Sequence, residues 1–278
     1  MKYPDTFRVE PGTKVKLSEL DAGGKGDEKD LAAVQDELAT LTKRLAELQY
    51  LMYAECKRSF LIVLQALDAG GKDGTVRHVI GSMNPQSATV QAFKTPSAEE
   101  MAHDYLWRIH KVTPAKGHVV VFNRSHYEDV LIVRVHNLVP REVWSKRYDE
   151  INDFERQLSD SGTHVIKFFL HIDKREQLAR FKQRLDDPAK QWKISEFDYK
   201  EREFWDDYQK AYEDAISRCS TDYAPWYVIP SNHKWFRNLI ISRVLVKALE
   251  SMDMQFPQPT VNIEEIRRQY HAAREEKR

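Results

Sequence analysis

The apolar run Phe60-Leu-Ile-Val-Leu-Gln-Ala-Leu67 feeds directly into Asp68-Ala-Gly-Gly-Lys-Asp-Gly74, and a helix-like segment starts at Thr75. Glycines let a backbone turn so that several N–H groups converge, and a following helix and a lysine add positive charge at the same point. That combination suits a phosphate-cradling loop made by Ala69, Gly70, Gly71, Lys72, Asp73 and Gly74. The usual pattern is G-x-x-x-x-G-K-[ST], whose Ser/Thr hydroxyl reaches a magnesium ion. Here Ala66 stands at the first glycine position and Asp73 at the hydroxyl position. The loop instead offers two carboxylates, Asp68 and Asp73, which suit a hard cation such as Mg²⁺. The plainer alternative is an ordinary glycine-rich turn. The strand before the loop and the helix after it weigh against that alternative.

A second constellation follows the apolar run Val119-Val-Val-Phe122, in Asn123-Arg-Ser-His-Tyr-Glu-Asp129. In P-loop enzymes an acidic residue near this place usually orders magnesium. Here the strand ends in Asn123, and acidic groups arrive only at Glu128 and Asp129. Arg124 is placed to hold a phosphate or a carboxylate bidentately. Glu128 is a third candidate metal ligand, while His126 and Asp129 carry less of the functional reading. Arg134, further along, reads equally as a second phosphate contact or a surface ion pair.

The third constellation spans residues 173–193. Arg180 and Arg184 are four apart and share one helix face. Pro188 ends that helix, and Lys190 and Lys193 follow in a basic segment that is expected to be mobile. Arginines on such a segment can close as a lid over transferring phosphoryl groups. A solvated helix face with Asp186 and Asp187 as ion-pair partners is the competing reading.

These groups need a scaffold that presents loops at one edge. Strand patterns at 60–67, 89–94, 118–122, 165–172 and 226–229 alternate with helix patterns at 75–82, 97–110, 141–158, 174–185, 198–218 and 233–249. Ser97 and Glu100 have the spacing of a capping box. Alternating strands and helices give a parallel sheet covered on both faces, hence a three-layer α/β/α sandwich of the doubly wound, P-loop kinase-like kind. Ligands in such folds sit beyond the carboxyl ends of the strands. Residues 1–26 read as an irregular arm, and an amphipathic helix is expected over 27–58. That helix packs on the chain's own core or serves as a subunit contact. A single domain is expected over 1–278, with a core at 59–256, a helical lid at about 180–196, and a tail at 257–278 that ends in a charged helix.

The 278 residues carry 43 basic and 43 acidic side chains, so no general nucleic-acid or membrane surface is favoured. Any polyanion site must come from local clustering. Cys56 and Cys219 are isolated and suggest neither a disulfide framework nor a zinc site. No apolar run reaches the length of a membrane span and the first residues lack an apolar signal core, so a cytoplasmic location is expected.

The chain resembles the polyphosphate kinase type 2 family. The resemblance rests on Asp68-Ala-Gly-Gly-Lys-Asp-Gly74, Asn123-Arg-Ser-His-Tyr-Glu-Asp-Val130, the lid-like Arg180-Phe-Lys-Gln-Arg-Leu-Asp-Asp-Pro-Ala-Lys-Gln-Trp-Lys193 and Ala224-Pro-Trp-Tyr-Val-Ile-Pro230. Met83-Asn-Pro-Gln86 and Phe93-Lys-Thr-Pro-Ser97 also fit, so that roughly residues 30–250 are covered. Ala66 and Asp73 are what this family shows in place of the usual loop residues. Asn123 with Glu128-Asp129 is similar to the subgroup that accepts both nucleoside mono- and diphosphates.

The resemblance implies transfer of a terminal phosphoryl group from inorganic polyphosphate to AMP and ADP, with adenine or guanine nucleotides as acceptors and Mg²⁺ or Mn²⁺ as cofactor. It implies catalytic roles for Asp68, Lys72, Arg124, Arg180 and Arg184. Phosphate contacts are expected from Lys94, Asn123, Glu128, Arg134, Lys190 and Lys193, and metal contacts from Asp68, Asp73 and Glu128. Arg77 and Lys234 are further candidates along the polyphosphate path. No sequence rule locates the base-binding surface; Phe93, Trp107 and Tyr127 are candidates, although most aromatics are core. A homo-oligomer, dimer or tetramer, is expected. An ATP-dependent nucleoside monophosphate kinase is the nearest rival, and Asp73 argues against it. A non-catalytic nucleotide or phosphate sensor is the rival from another class, and the cluster of carboxylates with arginines disfavours it.

Overall fold

Five strands pair side by side in the computed structural model of the chain, which describes residues 3–24 and 31–275. They are β1 (Ser59–Gln65), β2 (Ala88–Ala92), β3 (Val119–Asn123), β4 (Thr163–His171) and β5 (Trp226–Pro230). The order across the sheet is β2-β3-β1-β4-β5, and every pairing is parallel. The register sets Ile62 of β1 between Val121 of β3 and Ile166 of β4. β1 is buried along its whole length, which is why it lacks polar alternation.

The helices are α1 (Leu31–Glu55), α2 (Lys72–His78), α3 (Arg147–Asp160), α4 (Lys174–Asp186), α5 (Glu196–Glu203), α6 (Trp205–Cys219), α7 (Lys234–Glu250) and α8 (Ile263–Glu275), with several shorter turns between them. Successive strand residues point to opposite faces. Leu61, Val63, Val120 and Phe122 therefore enter one core with Ile151 and Phe154 of α3 and Tyr212 and Ile216 of α6. Phe60, Ile62, Leu64 and Val121 enter the other with Leu45, Leu48 and Met52 of α1 and Ile240, Val244 and Leu245 of α7. The result is the expected three-layer α/β/α sandwich. α1 packs on α7, where Arg243 donates two hydrogen bonds to Glu37, at 2.7 and 2.6 Å.

Several elements differ from expectation. The helix expected over 27–58 is seen from Leu31 to Glu55, and its first residues lie outside the described residues. The 97–110 helix is two turns, Ala98–Met101 and Trp107–His110. Its capping box forms as expected, but the Asp104 side chain accepts from the Leu106 N–H and restarts the chain in a new direction. The 141–158 helix is divided into Arg141–Trp144 and α3. The 198–218 helix is divided into α5 and α6 at Phe204, whose ring packs 4.8 Å from that of His136. The N-terminal arm is not all irregular. Arg8 bridges Tyr227 antiparallel, the Val9 N–H donates to the Trp226 carbonyl and the Val228 N–H to the Phe7 carbonyl, which covers the open edge of β5. No helix among the described residues is long and apolar enough to cross a membrane.

Candidate active site

β1 delivers the chain to residues 66–71, a tight loop that opens into α2. Ala69 (φ +60°) and Gly71 (φ +110°) are both in the left-handed region, a strained choice for alanine. Gly71 has a second reason to lack a side chain, because a Cβ there would stand 1.9 Å from Nη1 of Arg237. The Lys72 ammonium folds back over the loop and donates to the Ala66 carbonyl at 2.9 Å. Burial, and then the Arg124 guanidinium, lower its pKa from the usual lysine range to about 8, against the raising influence of Asp68, Glu128 and Asp73.

β3 delivers the second loop. Arg124 takes a positive φ of +64°, and its N–H donates to the Leu64 carbonyl of β1, which locks the two loops together. Its guanidinium then lies between two carboxylates, 3.2 Å from Asp68 and 3.8 Å from Glu128. The three residues between Arg124 and Glu128 turn inward. Ser125 accepts from Gln65 at 3.1 Å, and the buried Glu155 accepts from Tyr127 at 2.9 Å and pairs with His126 at 3.2 Å and with Lys167. Asp129 is also held away from the cleft, 3.1 Å from Arg147, and burial pushes its pKa up to about 6. The sequence Arg-Ser-His-Tyr-Glu therefore presents its first and last members and anchors the middle ones.

The lid residues fall into two groups. Arg180 is buried and spends all five of its N–H donors within the protein. It bonds Glu176 at 2.7 Å and the carbonyls of Ala69, Gly70, Ser231 and Asn232. It braces the glycine loop from behind in place of the expected clamp on the transferring group, because loop carbonyls point outward when the N–H groups point in. Arg184 donates to the Lys193 carbonyl at 3.2 Å and approaches Asp198 at 3.8 Å, which folds the segment after α4 back on the helix. Lys193 then reaches Asp73 at 3.5 Å, and Asn123 donates to the same carboxylate at 3.1 Å. These partners hold the Asp73 carboxyl below its usual range against burial.

Asp68, Lys72, Asp73, Asn123, Arg124, Glu128 and Lys193 are thus brought to one place. Others are not. Arg134 lies in a separate cleft with Arg141, Trp144 and Arg218, 2.6 Å from Asp214 and 3.0 Å from the Tyr148 hydroxyl. That corrects the phosphate-contact reading of Arg134 in favour of its ion-pair reading. Lys190 is paired with Asp187, and Lys94 is exposed just past β2. Among the described residues no three acidic, His or Cys side chains stand close enough to cage a metal. Mg²⁺ needs no such cage, since one or two carboxylates with water and substrate phosphates suffice. Asp68 and Glu128, on either side of Arg124, are the carboxylates that could form such a donor set.

The base-binding candidates named from sequence lie elsewhere than in the cluster. Phe93 and Tyr127 are core, and Trp107 stacks on His103. Phe197, Trp205, Tyr208 and Tyr212 line a narrow pocket together with Asp68, Arg124 and Glu128, although Trp205 and Tyr212 are themselves part of the core. Trp205, Tyr208 and Tyr212 share one face of α6, a spacing legible in the sequence but without a chemical label.

The sequence model of the family Polyphosphate kinase 2 (PPK2) matches residues 28–257. An AMP/ADP-polyphosphate phosphotransferase of Meiothermus ruber is 51% identical, over 94% of this chain and 98% of its own length. An ADP-polyphosphate phosphotransferase of Rhodopseudomonas palustris is 42% identical, over 91% of this chain and 92% of its own. The crystal structure of polyphosphate kinase 2 from Arthrobacter aurescens superposes with a TM-score of 0.92 at 41% identity, covering 98% of this chain and 97% of that one. The glycine loop with its aspartate, the Arg124 loop and the parallel sheet beneath them are therefore those of an enzyme, and the chain belongs to the polyphosphate kinase 2 family.

Proposed function

We propose that this enzyme transfers the terminal phosphoryl group of inorganic polyphosphate to AMP and to ADP, giving ADP and ATP. The observation that carries the reading is the placement of Lys72, Arg124 and Asp68 where the glycine loop meets an aromatic-walled pocket. The loop suits the donor phosphates, and the exposed ring of Phe197 beside Asp68 and Arg124 suits a nucleobase. A terminal phosphate oxygen of the nucleotide attacks the end phosphorus of the polymer, the bridging P–O bond breaks, and the polymer leaves one unit shorter. No covalent enzyme intermediate is needed.

Such a transfer asks for alignment and charge neutralisation more than for covalent chemistry. Lys72 and the loop N–H groups hold the transferring phosphate. Arg124 is already oriented by its two carboxylates, so its guanidinium needs little reorganisation as charge develops. A divalent cation, Mg²⁺ or Mn²⁺, would be held by Asp68 with Glu128 or Asp73 and would neutralise phosphate charge when bound. Lys193, 3.5 Å from Asp73, ties the segment after α4 to the loop. An oligomeric, cytoplasmic enzyme is the accompanying expectation. The test is a substrate screen in which AMP, ADP, GMP and GDP are each offered with polyphosphate or with ATP as donor. Turnover with polyphosphate supports the reading; turnover confined to ATP overturns it in favour of a nucleoside monophosphate kinase.

A further inference from the structure

Arg237 lies against the glycine loop and has no part in the assignment above. It sits in the first turn of α7 and is only 2% exposed. Its Nη1 is 1.9 Å from the position of a Cβ on Gly71, and its Nη2 is 3.0 Å from that of Gly74. Nε and Nη2 both donate to the neutral Asn238 side chain, at 3.1 and 2.8 Å. Among the described residues no carboxylate pairs with Arg237, and Nη1 finds no acceptor. Its neighbour Arg180 is the control: equally close to the loop, it has Glu176 and a carbonyl for every remaining donor.

Burying a cation without a counter-charge is costly. Burial and the Arg180 charge lower the Arg237 pKa to about 10, so it stays charged at neutral pH. Lys234, one turn earlier and exposed, lies in the same positive field of Arg180, Arg237 and Lys190. The carboxylates of Asp68 and Glu128 are instead on the side of the aromatic pocket. Toward α7 the glycine loop thus meets Arg237, a cation with no carboxylate partner, beside the Arg180–Glu176 pair and Lys234, and toward α6 it meets Arg124 with its two carboxylates. We propose that Arg237, flanked by Lys234, is a donor-side phosphate-binding residue, and that the polyphosphate chain leaves the loop over Gly71 and Gly74 toward α7 while the nucleotide enters from the Arg124 side. This deepens the polyphosphate-transfer reading and rests on it for the identity of the polyanion.

The test is Arg237→Met, with Arg237→Lys and Lys234→Met beside it. Three quantities are read: KM for long-chain polyphosphate, KM for ADP, and the melting temperature of the ligand-free protein with and without added tripolyphosphate. Arg237→Met is expected to raise the polyphosphate KM about tenfold or more and to leave the ADP KM within about twofold. The ligand-free melting temperature is expected to stay or rise, because an unpaired buried charge has been removed, while the shift caused by tripolyphosphate shrinks. Arg237→Lys should fall between, and Lys234→Met should raise the polyphosphate KM alone. An unchanged polyphosphate KM and tripolyphosphate shift in Arg237→Met would overturn the proposal. So would a variant that melts far lower or does not fold, since the guanidinium would then be a structural brace like Arg180. If the wild type shows no turnover but still binds tripolyphosphate, and Arg237→Met loses that binding, the transfer reading fails and the anion site stands.

Discussion

Lys72 carries a charge that the fold makes expensive and that a phosphate would stabilise. In the free enzyme burial and Arg124 bring its pKa to about 8, so the ammonium is present below that pH and lost above it. The sign follows directly: kcat/KM for polyphosphate falls on a basic limb near pH 8, because the neutral amine no longer attracts phosphate. The limb in kcat lies higher, since bound phosphate raises the same pKa. Paired pH profiles of kcat/KM and kcat check this. Lys72→Met is expected to cost at least about 10²-fold in kcat/KM with an unchanged melting curve. Asp68, Lys72 and Arg124 were legible in the sequence because each sits in a short strand–loop–helix run whose chemistry is local. Arg237 was not legible. It lies in no motif, and only the folded chain shows it pressed against Gly71 with no counter-charge.

At the scale of elements, the loop after β3 works because its interior members are anchored. Glu155 of α3 holds His126, Tyr127 and Lys167 at once, all of them buried. Glu155→Leu leaves Lys167 charged and unpaired and should destabilise the protein by about 3–5 kcal/mol in denaturant unfolding. Adding Lys167→Met should recover a large part of that loss without restoring full activity, because the Arg124 loop has lost its anchor. Arg180→Met should strand several buried carbonyls at about 1–3 kcal/mol each, visible as a lower melting temperature together with lost turnover. A clamp acting only on substrate would lose turnover with stability intact. From sequence, the helix carrying Arg180 was clear, but its orientation was not, since the acceptors belong to the glycine loop and to the segment after β5. Helix breaks were hidden for a similar reason. The pattern over 198–218 is continuous, and the break at Phe204 is set by packing on His136, a contact between distant parts of the chain.

At the scale of the molecule, β1 is flanked by β3 on one side and β4 on the other, so the loops after β1 and β3 meet in one crevice. The parallel sheet was legible because β1, β3 and β5 carry unbroken apolar runs between helical patterns. The cover of the β5 edge by Phe7–Val9 was not, because a three-residue pairing leaves no periodicity to read. Equal numbers of acidic and basic residues mean that attraction for a polyanion comes from the cluster around Lys72, Arg124 and Arg237 and not from the overall charge. The most direct measurement of the central claim uses the purified protein with long-chain polyphosphate, AMP and Mg²⁺, with no nucleoside triphosphate present, and follows the nucleotides over time by chromatography. ADP is expected to appear first and ATP after it, and Lys72→Met is expected to give neither. Absence of both nucleotides with polyphosphate, together with ADP formed from ATP and AMP, would contradict the central claim.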